Sequence, residues 1–212
     1  RTGRPLVKVS CNEDTTAADL LGRFLLKNQD TVWQDGPMTR AVREGAILYL
    51  DEIAEAREDV IVVIHPLTDH RRELYIDRTK EALTAAPGFM CVATYNPGYQ
   101  RGLKDLKPST RQRFVTLSFT YPQAAVEEEI LIKLSGLGSG MAGKLVALAN
   151  KIRAQPQLGL RETVSTRLLV HASHLIRSEL SAREAANLAM AEPLTDDPKT
   201  LEALRHLIAI SL

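Results

Sequence analysis

The stretch Ile47-Leu48-Tyr49-Leu50 runs four apolar residues straight into two adjacent carboxylates, Asp51-Glu52. An apolar run over residues 46–50 with no polar alternation offers no solvent face. It fits a central strand of a parallel sheet, buried by helices on both sides. The abrupt polar end places Asp51 and Glu52 at the carboxyl edge of that sheet, where open α/β sheets carry their ligands. A second run, residues 89–94, stops in the same way at Asn96-Pro97-Gly98. A β-rich run over residues 6–10 is entered through Pro5, and residues 113–119 read as a last strand leading to Tyr121-Pro122.

The segments between these runs read as helices and hairpins. Asp14-Thr15-Thr16 supplies cap chemistry for a helix that Gly22 closes, and a second helix starts at Gly36-Pro37 and ends at Glu44-Gly45. A third covers residues 58–67. Residues 23–35, with Asn28-Gln29-Asp30 at their middle, and residues 72–85 read as hairpins standing on the surface. Strands alternating with helices give an α/β fold around a parallel sheet. After Pro122 every segment is helical: residues 124–134, 141–153, 166–180, 182–191 and 199–212. Ser181 with Glu184 forms a capping box there, and Pro193 and Pro198 break the chain before the last helix. The expected organisation is therefore an α/β core over residues 1–121 and a small all-helical domain over residues 122–212.

Charge and composition exclude several classes of function. Lys+Arg number 27 against 26 Asp+Glu, a net charge of +1, and no basic stripe interleaves with aromatic residues, so nucleic acid is not an expected partner. No run of about 18 apolar residues occurs, so no membrane-spanning helix is expected. Cys11 and Cys91 lack metal-ligand spacing and read as buried thiols, in keeping with a reducing cytoplasm. The N-terminus, Arg1-Thr2-Gly3-Arg4-Pro5, is neither a start methionine nor a signal peptide, and the chain is expected to begin within a longer protein.

Neighbouring strand residues point to opposite faces, so an Asp-Glu pair at a strand end can divide two tasks. Asp51 suits a hydrated Mg²⁺ that carries nucleotide phosphates, and Glu52 suits polarising an attacking water. The plainer alternative is an acidic start to the next helix. Asn96 lies at a turn and, at the same sheet edge, could hold that water in line. Arg111 and Arg113, in Lys107-Pro108-Ser109-Thr110-Arg111-Gln112-Arg113-Phe114, suit phosphate oxygens or simply form a solvated basic turn. Arg167, in Ser165-Thr166-Arg167, places a cation in the first turn of a helix, against its dipole, and there needs a phosphate or an acidic neighbour. His171 and His174 lie three apart on an apolar helix with no third ligand in evidence, and they, like His65 and His70, read as packing or surface residues. Trp33 and Tyr75 sit at the hairpins, where they pack or meet a partner.

In this order along the chain, the pieces resemble the MoxR group of AAA+ ATPases, P-loop NTPases whose α/β core is followed by a helical lid. In that resemblance Leu48-Tyr49-Leu50-Asp51-Glu52 matches Walker B, with Asp51 in the magnesium role through water and Glu52 as catalytic carboxylate. Asn96 matches sensor 1, Arg111 and Arg113 fall at the arginine-finger positions, and Arg167 matches sensor 2. Residues 23–35 correspond to the helix-2 insert and residues 72–85 to the hairpin before sensor 1. Trp33-Gln34-Asp35-Gly36-Pro37, His65-Pro66-Leu67-Thr68-Asp69-His70-Arg71-Arg72, Tyr95-Asn96-Pro97-Gly98-Tyr99-Gln100 and Leu103-Lys104-Asp105-Leu106-Lys107-Pro108-Ser109-Thr110 are similar to the CbbQ and NorQ branch. The resemblance implies ATP and Mg²⁺ as cofactors, a cytoplasmic homo-hexamer, in some cases carboxysome-associated, and an adaptor of the CbbO type with a von Willebrand factor A domain. It implies a remodelling chaperone that frees Rubisco of inhibitory sugar phosphates, or in the NorQ and NirQ relatives one that matures nitric oxide reductase.

One departure from the family stands out. The glycine-rich loop G-x-x-x-x-G-K-[ST] does not occur in the 212 residues and is expected to precede Arg1. Without that cradle of backbone N–H groups and lysine, the chain as written is expected to bind ATP poorly and hydrolyse it negligibly. A non-hydrolysing scaffold is the rival reading, set against the presence of Asp51, Glu52, Asn96, the arginines and Arg167 together.

Overall fold

The computed structural model describes residues 3–96 and 105–212, and two compact units divide it at residues 1–117 and 118–212. In the first, strands β1 (Leu6–Ser10), β4 (Ile47–Asp51) and β7 (Met90–Ala93) pair in parallel in the order β1-β4-β7. Helices α1 (Ala17–Leu21) and α2 (Pro37–Glu44) lie between β1 and β4 in the chain, and α3 (Glu58–Ile64) lies between β4 and β7. Parallel pairing brings Ser10, Asp51 and Thr94 to one edge, with Ser10 beside Asp51 in register and the Thr94 amide donating to the Leu50 carbonyl at 2.9 Å.

Local chemistry sets the element ends. Thr16 opens α1 with a complete capping box: its hydroxyl accepts from the Asp19 amide, and the Asp19 carboxylate accepts from the Thr16 amide at 3.0 Å. Pro37 takes the first helical position of α2, and Gly45 ends that helix at φ 67°, where the Pro87 carbonyl lies so close that a Cβ would collide with it. The first hairpin, β2 (Gly22–Lys27) and β3 (Asp30–Asp35), turns through Asn28 and Gln29, both in the left-handed region as a two-residue hairpin turn requires. Phe24 and Trp33 meet edge to face across it, with ring centres 5.1 Å apart, while Leu26 stays exposed. The second hairpin is β5 (Glu73–Ile76) with β6 (Glu81–Thr84), and Tyr75 is exposed on it. Arg43 of α2 reaches both hairpins, donating to Asp35 and to Glu81 at 2.8 Å each.

Leu20 of α1, Met38, Ala41 and Val42 of α2, and Val60 and Ile64 of α3 share one core with Val7, Leu48 and Leu50 of the sheet. Each fully buried leucine contributes about 1.5–3 kcal/mol by leaving water. The expectation that β4 is buried on both faces is met on one face only. Ile47, Tyr49 and Asp51 alternate with the buried Leu48 and Leu50, and Leu6 and Met90, in register on either side of Ile47, are exposed. Among the described residues no helix covers that second face.

Residues 113–119 do not form the expected last strand. A short helix α4 (Pro108–Arg111) precedes them, and Val115, Leu117 and Phe119 are 95%, 76% and 92% exposed. A strand exists only through hydrogen bonds to a neighbour, and no described strand pairs with this run. Alternating apolar residues alone therefore misread it.

The second unit contains α5 (Ala124–Ser135), α6 (Ser139–Arg153), α7 (Thr166–Arg177), α8 (Ala182–Ala186) and α9 (Pro198–Ser211) around its own core, which includes Leu131, Leu145, Leu148, Leu169, Met190 and Leu204. Two of its expected helices end differently. Glu179 takes φ 72° just beyond α7, and a π-helix, Asn187–Ala191, replaces the second half of the expected helix after Ser181, directly ahead of Pro193. The Ser181 hydroxyl accepts from the Glu184 amide at 3.3 Å. Among the described residues no helix is long and apolar enough to cross a membrane.

Candidate active site

Asp51 closes β4 and sits at the centre of a polar knot. Its Oδ1 accepts from the Thr94 hydroxyl at 2.8 Å and from the Tyr49 hydroxyl at 3.0 Å, and its Oδ2 pairs with the Lys8 ammonium at 3.0 Å. Lys8 also lies 5.5 Å from the centre of the Tyr49 ring. Lys8, followed by Thr94 and Tyr49, holds the Asp51 carboxyl below the usual carboxylate range, and Asp51 in return raises the Lys8 ammonium. The geometry follows from the sheet register, in which Lys8 pairs with Tyr49 and Ser10 with Asp51, so these side chains share the face opposite Leu48 and Leu50.

Thr94 joins the two strand ends. Besides donating to Asp51, its hydroxyl accepts from the Glu52 amide at 3.2 Å, and its carbonyl accepts from the Ile53 amide at 2.9 Å. Glu52 is held at φ 55° and ψ 47°, in the left-handed region, where a non-glycine residue is strained by about 1–2 kcal/mol. Its side chain is exposed beyond Asp51. The carboxylate pair thus has one member anchored by three side chains and one exposed. The sequence marks Asp51 and Glu52 at this edge but carries no comparable signal for Thr94 or Tyr49. A lone lysine inside the apolar run of residues 6–10, two positions before the residue paired with Asp51, was the legible signal for Lys8.

Asn96 lies two residues past Thr94 at the same edge and is exposed. Pro97, Gly98, Tyr99, Gln100, Leu103 and Lys104, which carry part of the CbbQ and NorQ resemblance, lie outside the described residues. Arg111 ends α4 and is exposed, whereas Arg113 is partly buried, with an Nε that has no hydrogen-bond partner among the described residues. Near it, His65 Nε2 lies 3.1 Å from the hydroxyl of the buried Thr110, and burial, then the charge of Arg113, lowers the His65 imidazole from its ordinary value. The two arginines are therefore not equivalent in setting. In the second unit Arg167 is exposed in the first turn of α7, and Ser165 stands at the cap position without a side-chain cap bond. His171 and His174 are exposed on the same helix, and among the described residues no cluster of His, Cys, Asp and Glu suits a metal ion.

Asp51 offers a single anchored carboxylate, the oxygen ligand that suits a Mg²⁺ ion keeping most of its water, although the Lys8 ammonium pairs with its Oδ2 at 3.0 Å.

Residues 1–114 match the family described as AAA domain (dynein-related subfamily), and residues 127–211 match the family described as CbbQ/NirQ/NorQ C-terminal. The chain is 58% identical to Protein NorQ of Paracoccus denitrificans over 99% of its own length and 77% of that protein. It is 55% identical to the denitrification regulatory protein NirQ of Pseudomonas aeruginosa, over 96% of the chain and 78% of that protein. Protein CbbQ of Hydrogenophilus thermoluteolus is 53% identical, over 97% of the chain and 77% of that protein. Among solved structures, a mutant of Thermotoga maritima RuvB shares the fold with a TM-score of 0.52 at 13% identity, over 96% of the chain and 53% of that protein. With a sheet edge built around Asp51 and both halves of the chain matched, the chain belongs to the CbbQ/NorQ type of MoxR-group AAA+ ATPases.

Proposed function

We propose that the chain is the motor portion of an ATP-dependent remodelling chaperone that works as a homo-hexameric ring. One observation carries the reading: Thr94 ties the Asp51 carboxylate and the Glu52 backbone together at the carboxyl edge of adjacent parallel strands. Asp51 would hold Mg²⁺ through water, and the ion would supply charge neutralisation on the phosphates. Glu52 takes the proton of the attacking water and Asn96 holds that water in line. Arg111 or Arg113 stabilises developing charge on a neighbouring subunit's nucleotide, and Arg167 adds a phosphate contact from the helical unit. The glycine-rich cradle is not among the 212 residues, and the uncovered face bearing Leu6, Tyr49 and Met90 supports placing a further segment there.

Ring movements pass to an adaptor of the CbbO type with a von Willebrand factor A domain, and the client is Rubisco carrying an inhibitory sugar phosphate. A second client, nitric oxide reductase, is favoured by the similarity to NorQ and NirQ, at 58% and 55% identity against 53% for CbbQ. The test is phosphate release by the intact gene product with adaptor and inhibited Rubisco, read together with carboxylation. Both rise with ATP and both vanish in Glu52→Gln, while ATP binding and assembly survive. Undiminished hydrolysis in Glu52→Gln refutes the catalytic reading. Phosphate release with Rubisco still inhibited moves the client to nitric oxide reductase, and client activation without nucleotide supports a non-hydrolysing scaffold.

A further inference from the structure

The start of α7 is held by something other than a cap. Ser165 makes no side-chain cap bond, yet the residues on either side of it are both tied down. The Thr166 hydroxyl donates to Glu127 Oε1 at 2.6 Å, and the Val164 carbonyl accepts from Arg153 Nε at 2.8 Å. Glu127 of α5 and Arg153 of α6 form a two-pronged ion pair, with both guanidinium nitrogens donating at 2.8 Å. Glu127 is fully buried and the Arg153 side chain is 8% exposed. One guanidinium nitrogen also donates to Asn150 Oδ1 at 3.0 Å, and the guanidinium stacks 3.8 Å from the centre of the Tyr121 ring. Three side chains and one carbonyl thus converge on a single planar group, which leaves it little freedom to reorient.

A buried ion pair is a poor device for stability alone, since apolar residues of similar volume commonly serve as well or better. It does provide direction. Here that direction is delivered to residues 164 and 166, and the next residue is Arg167. Arg167 stands in the first turn of the helix, against the dipole, with no ion pair or hydrogen bond among the described residues. We infer that Glu127 and Arg153 are positioning residues for Arg167: acting through Thr166 and Val164, the buried pair sets how the first turn of α7 presents Arg167 to a nucleotide phosphate. The inference rests on reading Arg167 as a phosphate contact.

The test compares Arg167→Ala, the double variant Glu127→Met/Arg153→Met and the triple combination in the intact gene product, reading KM for ATP, kcat and thermal unfolding. The double variant replaces the pair with apolar volume and is expected to fold. Its KM is expected to rise roughly tenfold, the loss of about one charge-assisted phosphate contact, and to match the rise in Arg167→Ala. The triple variant is expected to be no worse than either, because the two changes remove the same contact. If the double variant does not fold, Thr166→Val, which deletes only the hydroxyl, is expected to raise KM several-fold at unchanged kcat. A wild-type KM in the folded double variant, or effects that multiply to roughly a hundredfold in the triple, overturns the positioning role. A wild-type KM in Arg167→Ala overturns the phosphate reading of Arg167 instead, and with it the basis of the inference.

Discussion

Replacing Glu127 by Ala leaves the guanidinium of Arg153, only 8% exposed, without its counter-ion and the Thr166 hydroxyl without its acceptor. Breaking a buried pair from one side costs about 3–5 kcal/mol, because the remaining charge stays desolvated. For a unit of residues 118–212, total stability is on the order of 5–14 kcal/mol, so the variant loses about a fifth of it or more. At this size the loss lowers the melting temperature by on the order of 20 °C. Two probes can follow urea unfolding of the chain. Trp33 is the single tryptophan and packs in the first unit, so its fluorescence reports that unit, while far-UV circular dichroism is weighted toward the helices of the second. Glu127→Ala moves the dichroism transition to lower urea and moves the Trp33 transition less. Burial pushes the Glu127 carboxyl up, but the bonds from Arg153 and Thr166 outweigh it and hold the group below its ordinary value. Its contribution is thus present above the unfolded glutamate value, about 4.3, and is lost as pH falls through the lower folded value. The gap between wild type and variant therefore narrows on acidification below that range. A dichroism midpoint within about 0.5 kcal/mol of wild type at neutral pH refutes the assignment of Glu127 as the counter-ion that the buried Arg153 depends on.

Three further outcomes are expected. Thr94→Val keeps the shape of the side chain but releases both Asp51 and the Glu52 amide, so ATP turnover in the intact gene product falls by at least about tenfold while assembly persists; unchanged turnover removes Thr94 from the site. Burial pushes the Cys11 thiol up to about 11 and the Cys91 thiol up to about 12, so neither reacts with iodoacetamide at pH 8 until urea unfolds the first unit, and rapid labelling of the native chain contradicts this. Gly45→Ala forces a Cβ against the Pro87 carbonyl at a left-handed backbone position, costing more than about 1 kcal/mol in urea unfolding read by Trp33 fluorescence, and a wild-type midpoint refutes the close approach.

Much of the fold was legible in short-range chemistry. Thr16 and Asp19 cap α1, Asn28 and Gln29 turn the first hairpin, and Pro37 and Gly45 bracket α2, because each choice is made by a backbone and its nearest neighbours. The abrupt step from Leu50 to Asp51-Glu52 likewise marked the sheet edge that carries the carboxylates, since an apolar run of that length permits little besides a buried strand. Residues 113–119 show where such reasoning stops, for their alternation is that of a strand, but strand formation depends on a neighbour that the local sequence does not specify. The same limit applies to the contacts that organise the site and the helical unit. Lys8 and Thr94 meet at Asp51 only through the parallel register of β1, β4 and β7, and Glu127, Arg153 and Thr166 meet only through the packing of α5, α6 and α7. The sequence by itself determined most of the elements and the acidic edge, whereas the tertiary structure decided which side chains hold that edge and the helical unit, because partners separated by 26 to 43 residues are chosen by packing and register rather than by local propensity.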